Sequence, residues 1–185
     1  MDFAFTEEQR MFKEQIIRFA GKEIVPRVQE YDLKGEFDFE SFRKLGEFGI
    51  LGLHFPENLG GSDADVVTTV MAGEALGEAG VDGGLTLAYG AHTFLCADTI
   101  FAHGTDAQRE KYIPKLSSGE WIGCMGLTEP GAGSDVASMT TRAEKQEDRY
   151  VLNGNKMFIT NGPVADVALV YAKTKKELKL SLIHI

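Results

Sequence analysis

Near residue 120 the spacing of apolar residues changes, and this change confines the chain to a helical part followed by a β part. Residues 6–118 read as helices. Thr6 and Gln9 stand at capping-box spacing, and Phe12, Ile16, Ala20, Ile24 and Val28 recur every fourth position with Phe19 beside them, giving one apolar face. Pro26 should kink or end that helix, because its ring removes a donor and crowds the preceding turn. A second helix is expected over 39–48. A third follows Asp63 with Val66, Val67, Val70 and Met71 on its core side, and a fourth begins near Asp82 and carries Leu85, Leu87, Tyr89, Leu95 and Ile100. Thr105 and Gln108 repeat the capping-box spacing for a fifth helix, which Gly119 stops. Beyond it, strands are expected over 121–127, 140–143, 150–152, 157–160 and 167–171, with Asn153-Gly154 as a hairpin turn. The expected fold class is α+β: an N-terminal all-α helical bundle over 1–120, then an incomplete β-barrel-like middle domain over 121–179.

Composition removes several functional classes. A net charge of −9 disfavours a nucleic-acid partner, since phosphate backbones are met by basic faces. No apolar run approaches the roughly 20 residues of a membrane helix, so no membrane partner is expected. Cys96 falls in a helical pattern and Cys124 in a strand pattern, so they read as small buried hydrophobes in a reducing compartment rather than a disulfide framework. His54, His92 and His103 share no metal-ligand spacing and read as core or surface residues. Met1-Asp2-Phe3 leads directly into a helix start without an Arg-rich leader or an apolar h-region. A bacterial cytoplasmic protein is the simplest expectation, or a mitochondrial matrix protein if a leader is missing.

The strongest chemical signal is Gly126-Leu127-Thr128-Glu129-Pro130-Gly131-Ala132-Gly133-Ser134-Asp135, where an apolar strand opens into a glycine-rich loop. Small residues let a ligand approach the main chain, Pro130 stiffens the turn, and Thr128 and Ser134 supply hydroxyls, which together suit an electron-rich ligand. Alone, such a run is more often a plain turn than a site. A second segment, Asn155-Lys156-Met157-Phe158-Ile159-Thr160-Asn161-Gly162, supports a site, because Phe158 and Thr160 would face the same side of a strand. Glu129 and Asp135, beside Pro and Gly, read as carboxylates that hydrogen-bond their own turn rather than as an acid/base pair.

These two segments resemble the middle domain of the acyl-CoA dehydrogenases, flavoproteins that desaturate acyl-CoA thioesters at the α,β position. Thr6-Glu7-Glu8-Gln9, Pro56-Glu57-Asn58-Leu59-Gly60-Gly61 and Gly104-Thr105-Asp106-Ala107-Gln108-Arg109-Glu110-Lys111-Tyr112 resemble further family landmarks in the family's order, over residues 2–173. The resemblance implies FAD bound by Met125, Gly126, Leu127, Thr128, Gly133, Ser134, Phe158, Ile159 and Thr160. By the same resemblance, Leu127 and Thr128 are expected near the pyrimidine end, and Ser134 between the cofactor and the acyl-CoA. The aromatic position is often Trp in the family, so Phe158 keeps the packing against the ring and loses an N–H donor. The resemblance further implies that Leu87 and Ala91 close the acyl pocket, in a segment similar to that of isovaleryl-CoA dehydrogenases, and so a short or branched acyl chain.

The implied mechanism is removal of the acyl α-proton by a carboxylate, concerted with transfer of the β-hydrogen as hydride to flavin N5, where donors near N1 and C2 favour the reduced form. No catalytic residue is assigned, because the family's carboxylate lies in a C-terminal helical domain and nothing here matches it. The implied partners are an electron-transfer flavoprotein and further copies of the chain in a homotetramer. An acyl-CoA oxidase or a nitroalkane-oxidase-like enzyme is an alternative within flavin chemistry, and a non-catalytic helical binding module is one outside it. Residues 173–179 form a basic, polar run that abandons the strand pattern. Leu180-Ser181-Leu182-Ile183-His184-Ile185 is also what one reading frame of a transposon adapter encodes. Residues 180–185 are therefore expected to be a non-native tail on the front part of a longer enzyme, inactive alone.

Overall fold

The computed structural model describes residues 4–174, so the expectations for residues 175–185 lie outside the described residues. Helix α1 (Glu7–Glu23) starts at the Thr6 capping box, where Gln9 N–H donates to Thr6 Oγ1 at 3.2 Å and Thr6 N–H donates to Gln9 Oε1 at 3.0 Å. It ends before Pro26. The chain restarts as α2 (Val25–Lys34) with Pro26 in its first turn, where a missing N–H costs nothing, so Val28 belongs to a second helix rather than to the first. Helix α3 (Phe39–Glu47) is capped by Asp38, which also accepts from Arg27 Nε at 2.8 Å and so ties α2 to α3.

Helix α4 (Val66–Ala79) is capped by Asp65, whose carboxylate accepts from Thr68 N–H at 2.7 Å. Its valines correct the expectation. Val66, Val67 and Val70 are exposed, while Thr69, Met71, Ala72, Ala75 and Leu76 are buried. The helix is apolar nearly all round, so spacing does not select a face; the small residues do, by letting neighbouring helices approach closely. Gln9 Nε2 donates to Thr68 Oγ1 at 3.1 Å, and Lys13 pairs with Glu74 and Glu78, joining α1 to α4.

Asp82 caps α5 (Gly83–Gly90), which runs on through a π-helical stretch (Ala91–Ala97) into α6 (Asp98–His103). Leu85, Tyr89 and Ile100 are buried, whereas Leu87 and Leu95 are exposed. A second capping box, Thr105 with Gln108, starts α7 (Asp106–Ser117), and Gly119 at φ 73° ends it. One core fills the space among α1, α3, α4 and α5 around Ile16, Phe42, Leu45, Leu76 and Tyr89. A second, built from Phe55, Cys96, Ile100, Ile113, Leu116, Val167 and Leu169, joins the helices to the strands. No described helix is long and apolar enough to cross a membrane.

Among the described residues the strands form two two-stranded sheets and no closed barrel. Strand β1 (Gly123–Gly126) pairs in parallel with β4 (Val167–Val170), in register Gly123 to Val167. Strand β2 (Arg142–Gln146) pairs antiparallel with β3 (Arg149–Asn153), in register Gln146 to Arg149. Two expectations are corrected here. The hairpin turns at Glu147-Asp148, with Glu147 at φ 53°, and not at Asn153-Gly154. Gly154 follows β3 because a Cβ there would collide with Thr141, so the glycine serves a close approach instead of a turn. Residues 157–160 are not a strand: Phe158 at φ 57° and Asn161 at φ 65° bend the segment, and Gly162 N–H donates back to Ile159 O at 2.9 Å.

Candidate functional site

Where the helices meet β1, a recess of about 130 Å³ is lined by Ala91, Leu95, Met125, Leu127, Thr128, Phe158, Ile159 and Thr160. The π-helical stretch supplies one wall, the end of β1 the floor, and the bent 158–160 segment the other wall. Phe158 is its most unusual member. It is 86% exposed and left-handed, a conformation that costs a bulky residue roughly 1–2 kcal/mol, and no core packing compensates for it. A large aromatic displayed in this way has a face free for a flat ligand.

The polar groups of the recess come from three sources. The Thr128 and Thr160 hydroxyls take no part in hydrogen bonds among the described residues. Alternation along β1 sends Ile122 O and Gly126 O toward β4, where they accept from Val167 N–H at 3.1 Å and Tyr171 N–H at 3.0 Å. The N–H and C=O of Met125 therefore point to the opposite edge, which no described strand covers.

The walls are held by a buried ion pair. Lys156 Nζ lies 2.9 Å from Glu129 Oε1 and donates to Leu127 O at 2.9 Å, and Glu129 also accepts from Thr140 N–H at 2.6 Å, Thr140 Oγ1 at 2.8 Å and Thr141 N–H at 2.9 Å. Burial pushes the Glu129 carboxyl up, but its contacts with Thr141, Lys156 and Thr140 outweigh that and hold it well below the usual carboxylate range. The carboxylate thus binds Lys156 and the 140–141 backbone, and only the main chain of Glu129 closes the local turn, with Ala132. Among the described residues no cluster of His, Cys, Asp and Glu could hold a metal ion.

Seven residues singled out in the sequence thus meet at one place: Met125, Leu127, Thr128, Phe158, Ile159, Thr160 and Ala91. Gly126 lies behind the lining as part of β1. Gly133 and Ser134 stand exposed in the loop and outside the lining, and Leu87, 61% exposed, sits one turn before Ala91. Leu95 lines the recess although periodicity assigns it to the helix core; its place four residues after Ala91, which itself stands four after Leu87, is the signal that identifies it. Lys156, His92 and Asn161 organise the site through long-range bonds that no local pattern reveals.

The family profile "Acyl-CoA dehydrogenase, N-terminal domain" matches residues 6–120, and "Acyl-CoA dehydrogenase, middle domain" matches 124–185. The chain belongs to the acyl-CoA dehydrogenase family. It is 46% identical over 170 residues to the mitochondrial isovaleryl-CoA dehydrogenase of Bos taurus, covering 91% of this chain and 39% of that protein. An acyl-CoA dehydrogenase from Geobacillus kaustophilus superposes with TM-score 0.92 at 35% identity, over 100% of this chain and 49% of that one. An FAD complex of PigA superposes with TM-score 0.90 at 34% identity, over 95% and 46%. The chain spans 39% to 46% of the length of the curated relatives it matches.

Proposed function

We propose that this chain forms the helical wall and the flavin-facing edge of an FAD-dependent acyl-CoA dehydrogenase that desaturates acyl-CoA thioesters at the α,β position. The observation that carries this reading is Phe158, exposed and left-handed beside a recess in which, among the described residues, the Thr128 and Thr160 hydroxyls and the Met125 N–H take no internal partner. These residues fit one face and the polar rim of a flavin ring. Bound FAD supplies the acceptor for the substrate's β-hydrogen. Phe158 gives the ring an aromatic face, and Thr128, Thr160 and Met125 N–H are fixed donors for a rim that gains negative charge on reduction. Ala91, Leu95, Leu127 and Ile159 exclude water from that rim.

None of the eight lining residues titrates, so this chain's share of the reaction is to bind, orient and keep dry. In the exposed loop, Gly133 and Ser134 are assigned to the polar parts of FAD and the acyl-CoA. Leu87 and Ala91 are assigned to the end of the acyl pocket, favouring a short or branched chain. Residues 1–120 and 121–179 are taken as the helical domain and the portion of the β domain present, in a homo-oligomer that passes electrons to an electron-transfer flavoprotein. Such an enzyme would work in a bacterial cytoplasm or the mitochondrial matrix.

Titrating the purified chain with FAD tests the reading. Saturable quenching of flavin fluorescence with a shifted visible spectrum is expected, and free-flavin behaviour throughout would overturn it. The 185-residue chain should not turn over any acyl-CoA, and measurable reduction of an electron acceptor by it would contradict that assignment.

A further inference from the structure

We propose that His92 and Asn161 are positioning residues that set the separation of the two walls of the recess by gripping the main chain of Gly123, one at its N–H and the other at its C=O. The inference rests on the reading that the recess receives a flavin ring. Gly123 opens β1 and, like Met125, presents its N–H and C=O on the edge away from β4. Buried backbone groups there need partners, since each unpaired one costs roughly 1–3 kcal/mol. At Gly123 two side chains take the place of a neighbouring strand. Gly123 N–H donates to His92 Nδ1 at 2.9 Å, and Asn161 Nδ2 donates to Gly123 O at 3.1 Å.

Each side chain also holds a helix. His92 Nε2–H donates to Leu116 O of α7 at 3.0 Å, and Asn161 Nδ2 donates to Ala88 O of α5 at 2.9 Å. Because Nδ1 accepts, His92 must be the neutral Nε2–H tautomer. Both residues are buried, and neither lines the recess. Their neighbours do: His92 follows Ala91 in the helical wall, and Asn161 follows Thr160 in the opposite wall. Gly123 is the common anchor. Moving either grip shifts one wall against the strand edge on which Met125 lies.

Three local features show that the grip is built in. The helix widens to π-helical hydrogen bonding where His92 lies, with Asp98 N–H donating to Thr93 O, and Thr93 Oγ1 donating to Leu51 O at 3.3 Å. Such widened turns occur often at functional sites. Gly123 itself cannot carry a side chain, because a Cβ would lie 2.8 Å from Cys96 Sγ. The left-handed backbone of Asn161 aims its amide inward, and glycine would accept the same backbone.

Asn161→Gly therefore deletes both amide bonds and keeps the turn. The test is an FAD titration of wild type, Asn161→Gly and His92→Asn, with the visible spectrum of bound flavin, the affinity and the Tm recorded for each. Ile113→Val, in the second core and outside the recess lining, is the control for destabilisation alone. If the grip positions the walls, Asn161→Gly weakens FAD by about tenfold and moves the bound-flavin spectrum toward that of free flavin, while Ile113→Val lowers Tm with spectrum and affinity unchanged. If Asn161→Gly does not fold, His92→Asn carries the same comparison. A lowered Tm with wild-type spectrum and affinity in both grip variants overturns the positioning role and leaves the flavin reading intact. Failure of wild type to bind FAD overturns both.

Discussion

Lowering the pH from 6.5 to about 4 should remove about 3 kcal/mol of stability through His92 alone. Burial pushes this imidazole down from 6.5 to about 4, and the Leu116 carbonyl opposes the shift only in part. The unfolded chain therefore takes up a proton near pH 6.5 that the folded chain refuses until about pH 4. The stabilisation is complete above 6.5, falls through that window at up to 1.4 kcal/mol per pH unit, and is gone below 4. Protonation would also turn Nδ1 into a donor facing Gly123 N–H. Glu129 acts in the same direction but lower, since its folded carboxyl titrates below its usual 4.5 and its contribution is lost only as pH falls beneath that value. Urea unfolding of wild type and His92→Asn at a series of pH values separates the two groups. The variant should start less stable at neutrality and lose little more between pH 6.5 and 4.5. Parallel curves over that range would refute the account of a neutral, buried His92.

Breaking the ion pair with Lys156→Met leaves Glu129 buried beside the loop and should cost about 3 kcal/mol in denaturant unfolding; a loss under about 1 kcal/mol would show that the pair does not hold the walls. Gly123→Ala forces a methyl against Cys96 Sγ and should cost about 1–3 kcal/mol, and adding Cys96→Ala should recover part of it by removing the nearest atom, both read as Tm. With an extended chain of full relative length, isovaleryl-CoA should be turned over faster than octanoyl-CoA if Leu87 and Ala91 close the acyl pocket, and an octanoyl preference would remove that assignment.

Local chemistry was the part of the fold most legible in the sequence. Thr6 with Gln9 and Thr105 with Gln108 form their capping boxes because all the partners lie within three residues. The face of α4 was not legible, because apolar residues surround that helix and only packing on Ala72 and Ala75 selects a side. The bend at Phe158 is not legible either, since an apolar alternation in sequence carries no sign of a left-handed backbone. Asn153-Gly154 has turn chemistry, yet the hairpin closed at Glu147-Asp148 and the glycine was used for its lack of a side chain beside Thr141. At the site, Leu127 and Thr128 of the first motif meet Phe158, Ile159 and Thr160 of the second, while Gly133 and Ser134 lie outside the lining. The bonds that hold them, His92 to Gly123 across 31 residues and Asn161 to Ala88 across 73, exist only once the chain is folded.

Phe158→Gly, measured for both Tm and FAD affinity, tests the central claim most directly. The side chain is exposed and its backbone left-handed, so glycine relieves strain without emptying a core and should leave Tm unchanged or raise stability by up to about 1 kcal/mol. The same change removes the aromatic face and should weaken FAD by about tenfold or more, the worth of one aromatic stacking contact. A gain or no loss in Tm together with weakened, spectrally altered FAD binding is the predicted result. Unchanged FAD affinity, or a large fall in Tm, would contradict the assignment of this recess as the flavin site with Phe158 as its ring-facing wall.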